Sequence, residues 1–238
     1  MDYHNWVYLI QSGGICEYLR ILIMSERLYL SHSVLTAEVE IIDCILCDDG
    51  RYAVQLKTTP FHPQGGGQPS DIGWLNDVEV IHVTLENDRI IHYTAHPVNT
   101  GIAFARVDEK RRRLHSQLHS AGHLIAHIVE CFGWQPIKAH HWPEECKVTF
   151  KAGSDAQGFS IEALQKKCDQ FISDDLSCQI IMRNDGYREI GFGEFRPYPC
   201  GGTHVSSLGK INGLRVLSIQ EKKGKLSVKY DVVSGLSS

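Results

Sequence analysis

The chain lacks several features that would place it in a broad class at once. Its 238 residues contain no uninterrupted apolar run of about 18 residues, so we expect no membrane-spanning helix. The formal net charge is −4, so a nucleic-acid partner would be bound by local basic patches rather than by an overall positive field. The N-terminus lacks the charged start and the small-residue cleavage site of a secretory signal, which predicts a cytoplasmic protein.

The eight cysteines do not form the paired motifs of a cysteine-rich zinc domain. Without an export signal we expect them to be reduced, and mostly to be small buried apolar side chains. Cys44 and Cys47 form a CxxC motif, but it lies inside an apolar, strand-like run and no second CxxC follows. We therefore interpret these two residues as part of the core rather than as a redox or zinc site.

The pattern of apolar residues divides the chain into three regions. Residues 1–23 precede a second methionine that opens folded-looking sequence, so they are predicted to be a poorly anchored extension or an upstream-start artefact. Residues 24–106 contain short apolar stretches separated by turn residues, which is typical of a small antiparallel β-barrel or sandwich. Residues 107–238 combine helical and strand patterns and are predicted to form an α+β domain.

Two helices are predicted in the last region. The first begins after Asp108, a suitable N-cap, and stops at Gly133, with an apolar stripe that includes Leu118 and Ile125. The second follows the N-cap Ser160, over the segment SIEALQKKCDQFI. We expect the first helix to pack its apolar stripe on the core and to present histidines on the opposite face.

Four histidines recur at intervals of four residues in the first predicted helix. Side chains four apart lie one above another, so each neighbouring pair could hold one metal ion. The middle pair lies most nearly opposite the apolar stripe, and the small residues inside it would leave room for a substrate. The spacing does not select one of the three pairs. The four residues are His115, His119, His123 and His127.

The segment PCGGTHV, residues 199–205, supplies a second set of metal-binding residue types. Gly201 and Gly202 argue against a helix here. Because glycines can take backbone angles that are closed to other residues, we expect them to let the loop fold back, so that Cys200 and His204 aim at one point. Thiolate and imidazole are favoured zinc ligands, and two spaced pairs from different parts of a chain commonly build one site. The sequence therefore predicts a zinc site that combines one helix pair with this loop.

The motifs HSAGH and PCGGTHV together resemble the editing domain of alanyl-tRNA synthetase and its freestanding relatives, the AlaX trans-editing proteins. The editing domain of threonyl-tRNA synthetase uses a similar HxxxH…CxxxH arrangement. The segment TTPFHPQGGGQPSDIG, residues 58–73, resembles the family's glycine-rich stretch, with His62 where tyrosine is common. The resemblance covers roughly residues 24–233.

This resemblance implies a fold and a ligand set. The fold would be α+β, with a small antiparallel, glycine-rich β-barrel domain at 24–106. An α+β zinc-containing editing domain of the threonyl/alanyl-tRNA synthetase second-additional-domain type would follow at 107–238. One Zn²⁺ per chain would be held by His119, His123, Cys200 and His204.

The resemblance also implies a function, the hydrolysis of mischarged Ser-tRNA(Ala) and of Gly-tRNA(Ala). Thr59 and Gln68 would approach the aminoacyl group, while Gly65, Gly66 and Gly67 would let the backbone come close. We expect no ATP requirement and no ligase activity. Four protein ligands are typical of a closed, structural zinc site, whereas a catalytic zinc keeps one position open. The sequence therefore leaves two roles for zinc, to activate water or only to shape the pocket.

Two other interpretations stay open at the level of sequence. One is a non-catalytic, zinc-stabilised tRNA-binding module, and the other is an editor of another aminoacyl-tRNA, such as Ser-tRNA(Thr). Basic residues at the start of the first helix and at a hairpin tip could contact tRNA phosphates, and the alternative for each group is a solvated face. The predicted tRNA-contacting residues are Lys110, Arg111, Arg112, Lys222 and Lys223.

Overall fold

A computed structural model of the chain describes residues 24–31, 34–183 and 188–233. The predicted extension, residues 1–23, lies outside the described residues. Two helices and fifteen strands occur in the described part. They are β1 (Glu26–Arg27), β2 (Thr36–Leu46), β3 (Tyr52–Leu56), β4 (Thr58–Thr59), β5 (Gly73–Leu75), β6 (Val78–Glu86), β7 (Arg89–Thr94), β8 (Gly101–Val107), α1 (Glu109–Glu130), β9 (Trp134–His140), β10 (Lys147–Ala152), α2 (Ile161–Ser173), β11 (Cys178–Met182), β12 (Arg188–Phe192), β13 (Tyr198–Pro199), β14 (Leu214–Lys222) and β15 (Lys225–Val232).

The first part of the fold is a closed ring of six strands, paired in the order β2-β3-β7-β6-β5-β8. Successive side chains of a strand point to opposite faces, and the apolar ones of these strands pack together inside the ring. In β8, for example, Ala103, Ala105 and Val107 are buried, whereas Ile102 and Phe104 face solvent. The apolar runs predicted as strands between residues 37 and 107 do form strands of this ring.

The second part packs both helices against one face of a four-stranded sheet, ordered β14-β15-β10-β9. The apolar side chains of α1 and α2 share one core with the inner face of this sheet. A further sheet, β11-β12-β13, leads into the predicted metal-binding loop. The molecule is thus a mixed α/β structure, in agreement with the predicted α+β class. No helix in the part of the chain that is described is long and apolar enough to cross a membrane.

Both predicted helix N-caps are confirmed. The Asp108 side chain accepts a hydrogen bond from the Arg111 backbone N–H, and Ser160 does the same for Ala163. These side chains satisfy N–H groups that a helix leaves unpaired at its start, which explains why both helices begin where they do. Helix α1 ends at Glu130, three residues before Gly133, whose φ is +81°.

The expectation of an exposed histidine face on α1 is wrong. Fourteen of its 22 residues are buried, and they include His115, His119 and Ser120 on the predicted polar side. The reason is that α1 is covered on both sides: the sheet and α2 pack on one side, and the glycine-rich segment and the loop after β13 pack on the other. The small residues inside the middle pair admit protein groups rather than a substrate. Gly122 lies against His141 and Tyr230.

A buried ion pair joins the ring to α1. The Arg112 guanidinium binds the Asp71 carboxylate, and it also donates 2.7 Å to the Pro60 carbonyl oxygen. Asp71 is fully buried and accepts in addition from the His62 backbone N–H at 2.6 Å. Arg112 is 6% exposed, so the expectation that it contacts tRNA phosphates is wrong. Its charge is used inside the protein.

Candidate metal centre

Four side chains from two distant parts of the chain converge on one point. The structure brings together His119 and His123 from α1 with Cys200 and His204 from the loop after β13. Each residue offers one nitrogen or sulfur atom as a ligand, and these four atoms all lie within 4.8 Å of one another. The Cys200 Sγ lies 3.4 Å from the His119 Nε2 and 3.2 Å from the His204 Nε2. These contacts settle which of the three histidine pairs joins the loop.

The loop reaches the helix because Gly202 has no side chain. A Cβ at this position would overlap the His119 ring and come within 2.8 Å of the Gln68 Oε1, whereas a Cβ on Gly201 would meet open space. Neither glycine has a positive φ. The predicted reason for the two glycines, an unusual backbone conformation, is therefore wrong. The fold needs only Gly202, and it needs it for space.

Arg188 supports the same loop from inside the protein. Its Nη1 donates to the Cys200 carbonyl oxygen at 2.8 Å and to the Gly202 carbonyl oxygen at 2.9 Å. Its Nε donates to the Leu30 carbonyl oxygen at 2.8 Å. Hydrogen bonds from a buried charged donor are stronger than neutral ones, so Arg188 ties the loop to the N-terminal part of the fold. No sequence motif marked this residue.

Two hydrogen bonds orient the imidazoles of the cluster. The His119 Nδ1 lies 2.7 Å from the Gln68 Oε1, which can only accept, so Nδ1 carries the proton and Nε2 keeps its lone pair. The Ser120 Oγ lies 3.0 Å from the His204 Nδ1 and accepts from the Val205 backbone N–H. Partners of this kind fix the tautomer and the ring orientation of metal-binding histidines.

Burial keeps the four groups uncharged when no ion is bound. Removal from water lowers the pKa of His119 and His204 well below the usual range, and it lowers that of His123 to about 3. Burial raises the pKa of the Cys200 thiol, and a hydrogen bond from the Gly202 backbone N–H lowers this pKa by a smaller amount. The imidazoles therefore present lone pairs. A cation bound here would displace the proton of Cys200.

The two residues predicted to approach the aminoacyl group are both fully buried. The Gln68 side-chain oxygen accepts hydrogen bonds from His119 and from the Thr203 backbone N–H, and its nitrogen donates to the Thr203 Oγ1 at 2.9 Å. The Thr59 Oγ1 lies 2.7 Å from the His92 Nε2, inside the ring. Gln68 thus contacts the cluster, whereas the Thr59 hydroxyl is bonded to His92 inside the ring.

The other predicted site residues lie outside the cluster. Gly65 and Gly66 are exposed on the loop that precedes Gln68, and Gly67 packs against β9. The predicted surface cations Lys110 and Arg111 are exposed at the start of α1, and Lys222 and Lys223 are exposed at the turn between β14 and β15. Cys44 and Cys47 are half-buried in the ring, and they do not belong to the cluster.

Comparison with known proteins identifies the same part of the chain. Residues 188–227 match the family described as the threonyl and alanyl tRNA synthetase second additional domain. The alanyl-tRNA editing protein Aarsd1 of Rattus norvegicus is 28% identical over 201 residues, 75% of this chain. Aarsd1 of Bos taurus is 29% identical over 204 residues, again 75% of this chain. The chain is therefore similar to proteins named alanyl-tRNA editing proteins, and its C-terminal part to the threonyl and alanyl tRNA synthetase second additional domain.

The chain spans about half the length of the curated relatives that it matches, 48% for the rat protein and 45% for the bovine one. An alanine–tRNA ligase of Haloquadratum walsbyi is 26% identical over 231 residues, which is 82% of this chain and 24% of that protein. The matched family segment contains Cys200 and His204, the loop half of the cluster.

His141 is a residue of the site that the sequence motifs did not indicate. It is 2% exposed, and its ring stacks on that of His119 with centroids 4.2 Å apart. The His141 Nδ1 lies 2.6 Å from the Tyr230 hydroxyl, which itself donates to the Leu118 carbonyl oxygen. The hydroxyl therefore accepts from His141, which keeps the Nε2 lone pair of this ring free. The doublet HH at 140–141 was the only signal in the sequence.

A cavity of about 690 Å³ borders the cluster. The Thr203 and Ser116 hydroxyls line it and are hydrogen-bonded to each other at 2.8 Å, and His204 connects it with the metal-binding groups. Four of its other lining residues are cations, against one carboxylate, Glu109; they are Arg112, which is paired with Asp71, and Arg113, Arg188 and Lys210. The cavity therefore combines hydroxyl groups, an excess of positive charge and a path to the cluster.

Proposed function

We propose that the chain is a zinc-dependent aminoacyl-tRNA deacylase, which removes the amino acid from mischarged Ser-tRNA(Ala) and Gly-tRNA(Ala) without ligase activity. The observation that carries this proposal is a buried cluster of three imidazoles and one thiol beside a cavity with hydroxyl and cationic groups. Similarity to proteins named alanyl-tRNA editing proteins supports the alanyl type of editing. In this proposal the closed ring of strands corresponds to the glycine-rich barrel of the family.

The donor set fits Zn²⁺. Thiolate sulfur and imidazole nitrogen are its preferred protein ligands, and His119 and His204 are held with their Nε2 atoms toward Cys200. When bound there, the ion would polarise an ester carbonyl or increase the acidity of water. Gln68 and Ser120 would hold the ligand rings in place, and His204 would present the site to the cavity.

The cavity suits the aminoacylated end of a tRNA. Its exposed cations, Arg113 and Lys210, would bind the terminal phosphate. The Thr203 and Ser116 hydroxyls lie next to His204, where the ester would have to lie. The volume, about 690 Å³, is in the usual range for small-ligand pockets. The chain's own groups would thus bind and orient the ester beside the cluster.

Selectivity for serine is assigned to the glycine-rich side of the site. A pocket that hydrogen-bonds the serine hydroxyl rejects alanine, because alanine would leave buried polar groups unpaired. The exposed loop of Gly65 and Gly66, with Gly67, would supply close backbone groups. Thr59 and Gln68 would shape this side of the pocket through the protein groups that they bind, since both side chains are fully buried.

The tRNA body would be bound by exposed cations at two places. Lys110 and Arg111 lie at the start of α1, and Lys222 and Lys223 lie at the β14–β15 turn. Phosphate contacts of this kind make the affinity fall as the salt concentration rises. Arg112 is not part of this proposal because it is buried against Asp71.

A second function is favoured by the number of ligands. Four protein ligands complete a tetrahedral zinc shell, which is typical of structural rather than catalytic zinc sites. A zinc-stabilised module that binds tRNA without cutting it would show the same cluster. Hydrolysis, rather than binding, separates the two functions.

The test is to incubate the purified protein with Ser-tRNA(Ala), Gly-tRNA(Ala) and Ala-tRNA(Ala), and separately with Ser-tRNA(Thr), and to follow release of the amino acid. We expect rapid loss of serine and glycine, sparing of alanine, and no release by Cys200→Ala. The matched control is Cys131→Ala, because Cys131 is an exposed cysteine outside the cluster. This variant should behave as the wild type does.

The other outcomes reject defined parts of the proposal. Binding of all three tRNAs without hydrolysis would favour the non-catalytic module. Equal hydrolysis of seryl and alanyl esters would contradict the selectivity argument, and preferential cleavage of Ser-tRNA(Thr) would replace the proposed substrate by another. Wild-type rates in Cys200→Ala would exclude a role for the cluster in the reaction.

A further inference from the structure

The outer face of the sheet β14-β15-β10-β9 carries a concentration of lysines. The inner face is buried against the helices through residues such as Val148, Phe150 and Val228. The side chains between them in sequence point to the opposite face, which is exposed. We call this surface the lysine face, and its lysines are Lys138, Lys147, Lys151, Lys222, Lys225 and Lys229.

Several of these lysines are direct cross-strand neighbours. Lys147 lies opposite Lys229, and Lys225 lies opposite both Lys151 and Lys222. Like charges directly opposite each other destabilise a sheet. Within the ranges 24–31, 34–183 and 188–233, none of the six lysines of this face forms an ion pair. The fold therefore keeps an arrangement that opposes its own stability.

The charge of this face is local. The chain as a whole carries −4, so the lysine face contrasts with the rest of the molecule. Acidic groups occur at one end of the face, next to Lys147 and Lys229: Asp231 lies opposite Arg215, and Glu145 pairs with His140 at 3.3 Å. A polyanion bound across the middle of the face would relieve the repulsion between the lysines.

Hydroxyl and aromatic groups complete the surface. Thr149 and Ser227 are cross-strand partners between the lysine rows, with hydroxyl oxygens 3.5 Å apart. At the edge strand β9, the rings of His140 and Trp142 are stacked, 5.7 Å apart and 5° from parallel. Trp142 is 38% exposed. Lysines and hydroxyls bind phosphates, and exposed aromatic rings stack unpaired bases, so this combination fits RNA better than an acidic protein.

We propose that the lysine face binds the phosphate backbone of the tRNA beyond its 3′ end, and that Trp142 with His140 stacks an unpaired base. The spacing fits a backbone, since Lys147 and Lys151 are four strand residues, or about 13 Å, apart. The aromatic pair also adjoins the cluster, because His141 follows His140 and stacks on His119. The lysine face extends the predicted contact at Lys222 and rests on the proposed function for the identity of its RNA.

The test compares Lys147→Gln/Lys229→Gln with the matched control Lys166→Gln/Lys167→Gln, which removes two exposed lysines from α2. Binding of deacylated tRNA is measured by fluorescence anisotropy over a range of salt concentrations. We expect the first variant to bind at least tenfold more weakly. The slope of log affinity against log salt concentration should become less steep by about 2, since each phosphate contact in duplex nucleic acid contributes roughly 0.9. The control should bind as the wild type does.

Folding and chemistry are measured alongside. The melting temperature of Lys147→Gln/Lys229→Gln should not fall, because the substitution removes a like-charge pair. Seryl ester on a short CCA trinucleotide, which cannot reach the lysine face, should be cleaved at the wild-type rate. Full-length Ser-tRNA(Ala) should show a raised KM with kcat unchanged.

The two proposals fail in different ways. Unchanged tRNA affinity and salt slope in Lys147→Gln/Lys229→Gln, with wild-type hydrolysis intact, would overturn the lysine face alone. A wild type that cleaves neither ester but binds tRNA through these lysines would overturn the deacylase and leave the lysine face standing. A wild type that binds no tRNA would overturn both.

Discussion

At the scale of single residues, Gln68 shows how a buried amide can organise a site without touching a substrate. Its oxygen accepts from both His119 and the Thr203 backbone N–H, and its nitrogen donates to the Thr203 hydroxyl. One side chain thereby aligns a helix ligand with the loop that carries the other ligands. Residues that orient metal ligands in this way commonly affect metal affinity almost as strongly as the ligands do.

Replacing Gln68 should therefore weaken metal binding. We expect Gln68→Ala to lower zinc affinity by roughly 10–100-fold, as measured by competition with a chromophoric chelator. Gln68→Glu should lose less, because a carboxylate still accepts from His119. The control is Gln64→Ala, four residues earlier on the exposed part of the loop. Equal zinc affinity in Gln68→Ala and Gln64→Ala would show that the amide does not position His119.

The buried His62 should make the stability of the fold depend on pH. Burial lowers its pKa to about 4, with nearby Asp71 acting in the opposite direction. Between pH 4 and about 6.5, the unfolded chain binds a proton at this position and the folded chain does not. The stabilising contribution of neutral His62 is thus complete above about pH 6.5 and is lost as the pH falls toward 4.

The matching variant is His62→Phe, which keeps an aromatic ring against Tyr29 and removes the titration. Urea unfolding between pH 7 and pH 5 should show a slope of free energy against pH that is smaller by up to about 1.4 kcal/mol per unit. His96→Gln, at an exposed position, serves as the control. The same slope in His62→Phe and wild type would mean that His62 is protonated in the folded protein.

At the scale of elements, the centre depends on how closely the loop after β13 approaches α1. The approach is possible because position 202 is glycine: a Cβ there would collide with the His119 ring and the Gln68 amide. Arg188, at the start of β12, pulls the same loop inward through two carbonyl oxygens. The i, i+4 pair on α1 alone would hold an ion weakly, and the loop supplies the other two ligands.

Gly201 and Gly202 offer a matched pair of substitutions. Gly202→Ala should abolish stoichiometric zinc binding, because the methyl group would force the loop away from His119. Gly201→Ala, in open space and with no positive φ, should bind one zinc per chain. Metal content after gel filtration, measured by atomic emission, decides between them. Full metal content in both variants would contradict the close approach of the loop.

At the scale of the whole molecule, the ring and the helical part are joined by buried polar contacts. Arg112 on α1 binds Asp71, which follows the glycine-rich segment of the ring region. Breaking a buried ion pair from one side leaves an uncompensated charge and commonly costs about 3–5 kcal/mol. The same contact sets the position of Gln68, three residues before Asp71, relative to α1.

Asp71→Asn should therefore lower the free energy of unfolding by about 3–5 kcal/mol in urea denaturation. Asp49→Asn breaks an exposed pair with Arg51 and should leave the unfolding midpoint unchanged. A loss in both variants of similar size would show that Asp71 contributes no more than a surface charge. A split transition in Asp71→Asn would show that the two parts unfold separately once the pair is broken.

The local features of the fold could be predicted from the sequence. Alternating apolar residues indicated the strands of the ring, and the caps Asp108 and Ser160 marked where both helices begin. The residue types and spacing of the two metal-binding motifs indicated the chemistry. These properties depend on neighbours in the chain, such as the side-chain period of a strand or the unpaired N–H groups of a first helical turn.

The tertiary structure decided which groups meet. Gln68 binds Thr203 across 135 residues, and His141, which directly follows strand β9, stacks on His119. The same packing buried the expected polar face of α1 and enclosed Arg112. Motif chemistry was thus determined by the sequence, because ligand types and periodicities are local. Hydrogen-bond partners, the space left by Gly202 and the alignment of six lysines on one face depend on distant segments brought together.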